Sequence, residues 1–384
     1  MTTSAADFRS ALQDPAITER VLERLAGLVG HETPSGDAAR IDALAAALAE
    51  ELTSIGGVVT RIPAAGLGTH VSARFPGAGD DPKPILVLAH LDTVHPVGSL
   101  AERPFRVEDG RAWGPGTYDM KAGLAVVVEA LTLLHEAGEQ PRRPVRLLVT
   151  CDEEIGSHSS RALIEDGARE ASCVLVPEPC RPDGGVKTAR KGVGVYTLHA
   201  DGVAVHAGID SGGGVNAIVE LAHQILGLAD LADTERGTTL NAGVIRGGTA
   251  SNVVPAAARV EIDVRFRTLD EGQRVDAALR ALTPALPGAR LRIDGGINRP
   301  PLERTPAVVA LYERARDLAE ELGFALPEGE TGGASDGCFT AAMSVPTLDG
   351  LGVLGDGAHA LHEHVVIEDV PRRVARFGRL FQTL

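Results

Sequence analysis

The sequence predicts an α/β fold in which an open mixed sheet is flanked by helices and interrupted by an inserted ferredoxin-like β-α-β-β-α-β module. Three observations carry this expectation. Ile85-Leu-Val-Leu-Ala-His90, behind Pro82 and Pro84, is apolar at successive rather than alternate positions, as a strand covered on both faces should be; Val145 to Cys151 and Cys173 to Val176 read similarly. Between the first two of these strands lies a helical period, with Leu124, Val127, Val128, Leu131 and Leu134 apolar within Lys121 to Ala137, and strand-helix-strand order implies a right-handed parallel crossover. Beyond Pro182-Asp-Gly-Gly185 the pattern changes to alternation, clearest where Val260, Ile262, Val264 and Phe266 interleave with Glu261, Asp263 and Arg265, the mark of a half-buried antiparallel strand.

In chain order, Asp14-Pro15 supplies an N-cap and a first-turn proline for a helix to about Val29, with Val21, Leu22, Leu25 and Leu28 on one face. Ser35-Gly36 opens a second helix carrying Ile41, Leu44, Leu48, Leu52 and Ile55. His31, between them, has no partner at ligand spacing and reads as a loop residue. Short strands near Val58 to Ile62 and His70 to Phe75 lead to the central strand, and a helix at Ser159 to Glu165 precedes the strand ending at Val176. Strands at Gly192 to Ala200, Leu240 to Arg246, Val260 to Phe266 and Leu291 to Ile293, with helices at Asn216 to Leu228 and Asp270 to Leu282, give the inserted order. A helix at Pro306 to Leu322, a glycine-rich turn at Gly332 to Gly337 and a helix at Val370 to Leu380 return to the first pattern. A chain of 384 residues is long for one core, and the expected division is a first domain in two parts, 1–185 and 297–384, around an inserted domain, 186–296.

Composition narrows the partners. Residues are 44% hydrophobic and 23% charged, as in an ordinary globular protein, and 37 basic against 52 acidic side chains leave a net charge of −15, which disfavours nucleic acid or an anionic membrane as partner. No apolar run reaches the ~18 residues of a spanning helix. Met1-Thr-Thr-Ser-Ala-Ala-Asp-Phe-Arg9 lacks a basic stretch followed by an apolar one, so no secretory signal is expected and the cytoplasm is the expected compartment. Cys151, Cys173, Cys180 and Cys338 have neither metal-clip spacing nor the density of a disulfide framework, and none is expected to be a nucleophile.

The chemistry gathers where the apolar strands end. One runs into His90 and Asp92, one into Asp152-Glu153-Glu154 and one into Pro177-Glu178, and open sheets of this kind place ligands at the carboxyl ends of their strands. With Gly114-Pro-Gly-Thr-Tyr-Asp119 and Gly357-Ala-His359 added, imidazole and carboxylate without thiolate are the ligand set of a zinc-like hydrolytic centre. Glu153 and Glu154 are neighbours whose side chains point in different directions, so one can ligate while the other faces water.

Five ordered motifs, His90-x-Asp92-x-Val94, Gly116-x-x-Asp119-x-Lys121-x-Gly123, Asp152-Glu153-Glu154-x-Gly156, His206-Ala-Gly208 and His359, resemble those of the zinc-dependent amidohydrolases that include glutamate carboxypeptidase, acetylornithine deacetylase, succinyl-diaminopimelate desuccinylase and aminoacylase. The resemblance spans nearly the whole chain. It implies two zinc ions, with cobalt or manganese as substitutes: Asp119 bridges, His90 and Glu178 complete one site, and Glu154 and His359 the other. His359 rather than His362 or His364 is implied because Gly357-Ala-His359 followed by Glu363 matches the family. It assigns to catalysis Glu153 as proton shuttle, Asp92 as the group orienting the His90 ring, and His206 as an oxyanion donor reaching across a dimer interface. A homodimer through the inserted domain, which would act as lid and dimerisation module, is therefore implied, as is a cis peptide after Asp119. Arg265 and Asn252 would hold the substrate carboxylate, with Gly333 and Ser335 of the turn beside them also implied as substrate-binding, since a guanidinium fork suits two oxygens. The expected activity is hydrolysis of the amide bond of a small peptidyl or N-acyl amino acid with a free carboxylate, nearest to glutamate carboxypeptidase through Arg190-Lys-Gly192, Gly248-Thr-Ala-Ser-Asn252 and Gly332-Gly-Ala-Ser-Asp336. A deacylase of the acetylornithine or succinyl-diaminopimelate type is the alternative. A non-catalytic metal-binding protein of the same fold would need neither Glu153 nor His206.

Overall fold

The structure, a computed structural model, describes residues 7–209 and 212–384; residues 1–6, on which much of the expectation of no leader rests, lie outside the described residues. The chain forms two compact units. The first runs to Ala189 and resumes as Arg304–Glu330 and Ser335–Leu384; the second is Arg190–Glu303 with Thr331–Ala334.

The first unit is built on a mixed sheet in the order Val58–Ala64, Gly68–Phe75, Val145–Thr150, Ile85–His90, Cys173–Leu175 and Thr347–Leu348. The first three strands pair antiparallel and the remaining pairs are parallel, so His90, Thr150 and Leu175 end on one rim. Ile85–His90 is buried throughout because its alternate side chains enter different cores. Ile85, Val87 and Ala89 pack with residues of the helices Pro15–Gly30, Ala122–Glu136 and Val370–Thr383, whereas Leu86 and Leu88 pack with Ile164, Ala168 and Phe339. Each of Ile85, Leu86, Val87 and Leu88 contributes about 1.5–3 kcal/mol by leaving water, which fixes the strand that carries His90.

Helix ends follow the local rules. Asp14 caps Ala16 at 2.9 Å with Pro15 in the first turn, and Thr305 caps Val308 at 3.3 Å with Pro306 following. The second helix, Ala38–Ser54, starts later than Ser35-Gly36 suggests because Asp37 is the cap. A small sheet of Arg106–Glu108, Arg111–Trp113, Gly355–Asp356 and His364–Val366 is not legible in the sequence, since strands of two or three residues show no period.

In the second unit, Gly192–Asp201, Thr239–Gly247, Ala257–Phe266 and Arg290–Arg299 form an antiparallel sheet with Thr239–Gly247 at one edge, in the order of a ferredoxin-like module. Val260, Ile262, Val264 and Phe266 share a core with Ala217, Leu221, Val275 and Leu279 of the helices Ala217–Leu228 and Leu269–Arg280, leaving the sheet's other face polar. The sequence-based boundaries at 185/186 and 296/297 cut short of two strands, Val186–Arg190 and Arg290–Arg299; the units change at Ala189/Arg190 and Glu303/Arg304. Among the described residues no helix is long and apolar enough to cross a membrane.

Candidate metal centre

Three strand ends and two loops bring five side chains together in the first unit. Asp119 uses both carboxylate oxygens: Oδ1 lies 3.5 Å from His90 Nε2, and Oδ2 lies 3.3 Å from His359 Nε2. His90 Nε2 is also 3.6 Å from Glu178 Oε1, and His359 Nε2 is 3.0 Å from Glu154 Oε2. Two clusters, each of one imidazole and one further carboxylate, thus share Asp119. The Asp119–Met120 peptide bond is cis. His362 points instead towards Asp356 at 3.9 Å, and His364 stacks on Trp113 with ring centroids 4.4 Å apart, so His359 alone of the three faces Asp119.

The donor set fits divalent metal. His90 Nδ1 lies 2.9 Å from the carbonyl oxygen of Asp92, which can only accept, so Nδ1 carries the hydrogen and a neutral ring turns a bare Nε2 lone pair towards two carboxylates. That Nε2 and Glu154 Oε1 are buried without a hydrogen-bond partner, an arrangement that a cation would satisfy. Without one, the carboxylates draw protons onto the rings. Burial opposes a charge on His90, but Asp119 and Glu178 outweigh it and hold its pKa well above the usual value. Asp119 and Glu154 raise His359 to about 10. Burial opposes ionisation of Asp119, yet the two histidines hold its pKa below the usual value. The centre therefore wants about the positive charge that metal ions supply, in a form that leaves both imidazoles neutral.

The clustered side chains are held from behind. Asp92 is expected to orient His90 through its carboxylate, but that oxygen is 3.6 Å from Nδ1 and the backbone carbonyl makes the contact. The carboxylate instead accepts from Ser35 Oγ at 2.7 Å and from the N–H groups of Glu153 and Glu154 at 3.1 and 3.2 Å, tying the acidic turn to the end of the His90 strand. Glu153 is half-buried in that turn, and its charge acts on His90. A Cβ on Gly123 would stand 1.9 Å from the Pro177 oxygen, so this glycine lets the helix after Asp119 approach the segment carrying Glu178.

Glu363 is the positioning residue that sequence reasoning does not assign. Its buried carboxylate accepts from Gly116 N and Tyr118 N at 2.8 Å and from Asp119 N at 3.0 Å, and meets His95 Nε2 at 2.6 Å. One segment thus presents His359 and, four residues on, clamps the loop that carries the shared aspartate. Glu363→Ala should cost about 3 kcal/mol or more in denaturant unfolding of the metal-free protein, because several buried N–H donors lose their acceptor. It should also weaken metal binding about 10–100-fold in a chelator competition. Unchanged metal affinity would show that the clamp does not position Asp119.

The remaining candidates divide. Ser335 is fully buried, donates to Asp349 and accepts from Gly337 N at 3.2 Å, so its hydroxyl is committed to the core rather than to a ligand. The Gly333 carbonyl accepts from Arg190 at 3.1 Å. In the second unit, His206 and Asn252 lie on adjoining loops: Ala207 N donates to the Asn252 carbonyl at 3.0 Å, and His206 pairs with Val253. His206 is exposed and accepts from Gly208 N through Nδ1 at 3.2 Å, which leaves the hydrogen of a neutral ring on Nε2 as an outward donor. Arg265 has its fork taken by Asp263, two residues away on the same strand face, at 2.7 and 2.8 Å. A substrate carboxylate would have to displace that partner. Cys151 lies in the core with burial pushing its thiol up to about 12, in line with a structural role.

Comparison with known proteins agrees with this geometry. The model of Peptidase family M20/M25/M40 matches residues 86–383. Carboxypeptidase G2 of Pseudomonas sp. (strain RS-16) is 34% identical over 387 residues, covering 98% of this chain and 91% of that protein. A succinyl-diaminopimelate desuccinylase of Methylorubrum populi is 30% identical over 366 residues, covering 87% and 91%. Among solved structures, the aminopeptidase PepT of Bacillus cereus superposes with a TM-score of 0.76 at 22% identity, covering 95% of this chain and 98% of that one, which shows a shared fold. A family match over most of the chain, on a fold that unites His90, Asp119, Glu154, Glu178 and His359, places the protein in Peptidase family M20/M25/M40, as a metal-dependent hydrolase.

Proposed function

We propose that the protein is a dinuclear-zinc hydrolase that cleaves the amide bond of a small peptidyl or N-acyl amino acid bearing a free carboxylate, in the manner of a glutamate carboxypeptidase. The observation that carries this reading is Asp119, whose two oxygens face two separate imidazoles. His90 and Glu178 would hold one ion, Glu154 and His359 the other, with Asp119 common to both. Bound metal would supply Lewis acidity at the scissile carbonyl and lower the pKa of water towards about 7.

The chain's own residues account for the rest. Glu153 takes a proton from the attacking water and delivers it to the departing amine, the one carboxylate of the acidic pair that this reading leaves out of the ligand set. Asp92 keeps Glu153 and Glu154 in register through their N–H groups. His206, with its hydrogen on Nε2, donates to the oxyanion that develops as the carbonyl is attacked. We assign that His206 to a second copy of the chain. Support comes from the edge strand Thr239–Gly247, which is exposed along most of its length with Val244 and Ile245 on its surface and offers backbone groups for pairing. Arg265 or Asn252 would receive the substrate carboxylate, Arg265 by exchanging Asp263 for it.

The desuccinylase relatives favour one second reading, an N-acyl-amino-acid deacylase. A hydrolysis panel separates the two: dipeptides and N-acyl amino acids with C-terminal Glu, Asp, Ala or Lys, against N-acetyl and N-succinyl diamino acids, each with added zinc. Turnover confined to acyl glutamates supports the carboxypeptidase. Turnover confined to succinylated or acetylated diamino acids supports the deacylase, and none with metal bound overturns both.

A further inference from the structure

We infer that the open face of the second unit's sheet holds a binding site for a small ligand with two or more carboxylates, built on Arg246 and Arg259. Strand register is the first observation. Arg246 stands opposite Arg259, Arg259 opposite His199, and His199 opposite Arg292, so one row of basic side chains crosses all four strands. Residues directly opposite in antiparallel strands project from the same face with Cβ atoms about 4.5–5.5 Å apart.

The row is not neutralised evenly. Arg292 forms an ion pair with Asp294, which also lies 3.1 Å from His199 Nε2. Arg246 and Arg259 are exposed, and among the described residues neither makes a side-chain ion pair or hydrogen bond. Glu261 and Asp201, one step along the same face from the row, are engaged by neither arginine. Like charges placed opposite each other are destabilising. That cost is incurred in a chain with 52 acidic side chains and a net charge of −15, where carboxylate partners are abundant. On the same face Arg265 shows the ordinary outcome, a bidentate pair with Asp263. Two forks left open side by side match a ligand that brings its own carboxylates.

A groove supplies the second observation. A cavity of about 530 Å3 is lined by Arg246, Arg259, His199 and Asp201 together with Val253 and Pro255. That is the size of a small-molecule site, and its lining combines basic side chains with apolar ones. The site lies wholly within the second unit and does not rest on the reading of the metal centre. The chemistry fits either a free polycarboxylic acid or the adjacent side chains of a short acidic peptide.

Isothermal titration of the metal-loaded full chain tests this with two probes, tricarballylate and an N-acetylated, C-amidated triglutamate that has no free C-terminus to be cleaved. The proteins compared are wild type, Arg246→Gln/Arg259→Gln and Arg259→Lys. The wild type should bind at least one probe, more weakly as salt is raised, and the probe that binds more tightly identifies the source of the carboxylates. The double variant should bind it at least tenfold more weakly, Arg259→Lys should fall between, and hydrolysis of a small substrate should be unchanged in the same preparations. Equal affinity in wild type and double variant would place the binding at the metal centre and overturn the inference, as would no binding by wild type. A double variant that changes only the association state would make the row a contact between copies, which also overturns it.

Discussion

Glu153→Gln is expected to lower kcat by roughly 10²–10⁴-fold while the protein keeps its metal, because only the group that moves the proton is removed. Its neighbour should behave in the opposite sense. Glu154 Oε2 lies 3.0 Å from His359 Nε2, and its other oxygen is buried without a partner, so on the proposed ligand set Glu154→Gln should release metal into a chelator at lower concentration. The two side chains are adjacent in sequence, and Asp92 holds both backbone N–H groups, so a general disturbance of the turn would affect both variants alike. Activity lost with metal retained in one, and metal lost in the other, separates shuttle from ligand. The reverse pattern would exchange the two assignments.

Mixed dimers should recover activity that neither parent possesses. Glu153→Ala and His206→Ala homodimers are each expected to be nearly inactive, the first without a proton shuttle and the second without an oxyanion donor. If His206 serves the partner's centre, a mixed dimer has one site with both defects and one with neither. Refolding equal amounts together makes about half the dimers mixed, so roughly a quarter of wild-type activity should return. Co-purification of differently tagged chains shows whether mixed dimers form. If they form and activity stays at the level of the parents, His206 does not act across an interface.

Of the five clustered side chains, His90, Glu154 and Glu178 were legible because each follows a strand whose apolar run marks it, as His90 does after Ile85–Ala89 and Glu178 after Cys173–Leu175, whereas Asp119 and His359 lie in loops and were legible only through the family motifs. The helices with strong periods and clear caps, such as Pro15–Gly30 and Pro306–Leu322, were legible for the same local reason. Glu363 was not read as a clamp, since its partners Asp119 and His95 lie 244 and 268 residues away and nothing local marks a carboxylate that gathers backbone N–H groups. Ser335, named through the family resemblance, is buried with its hydroxyl donating to Asp349, a partner 14 residues on that nothing local in the glycine-rich turn marks. The pairing of Arg265 with Asp263 had a signal that could have been used: residues two apart on a strand share a face. Likewise the basic row needed the strand register, which the alternation of each strand alone does not fix.

The central claim is that one carboxylate, Asp119, serves two metal ions. Elemental analysis of the protein loaded with excess zinc and freed of loosely held ions, with hydrolysis measured on the same samples, tests it most directly. The account predicts two metal ions per chain in the wild type, and loss of both together with activity in Asp119→Ala, since both histidines face that side chain. One ion per chain with full activity, or an Asp119→Ala protein that keeps one ion and its turnover, would contradict it.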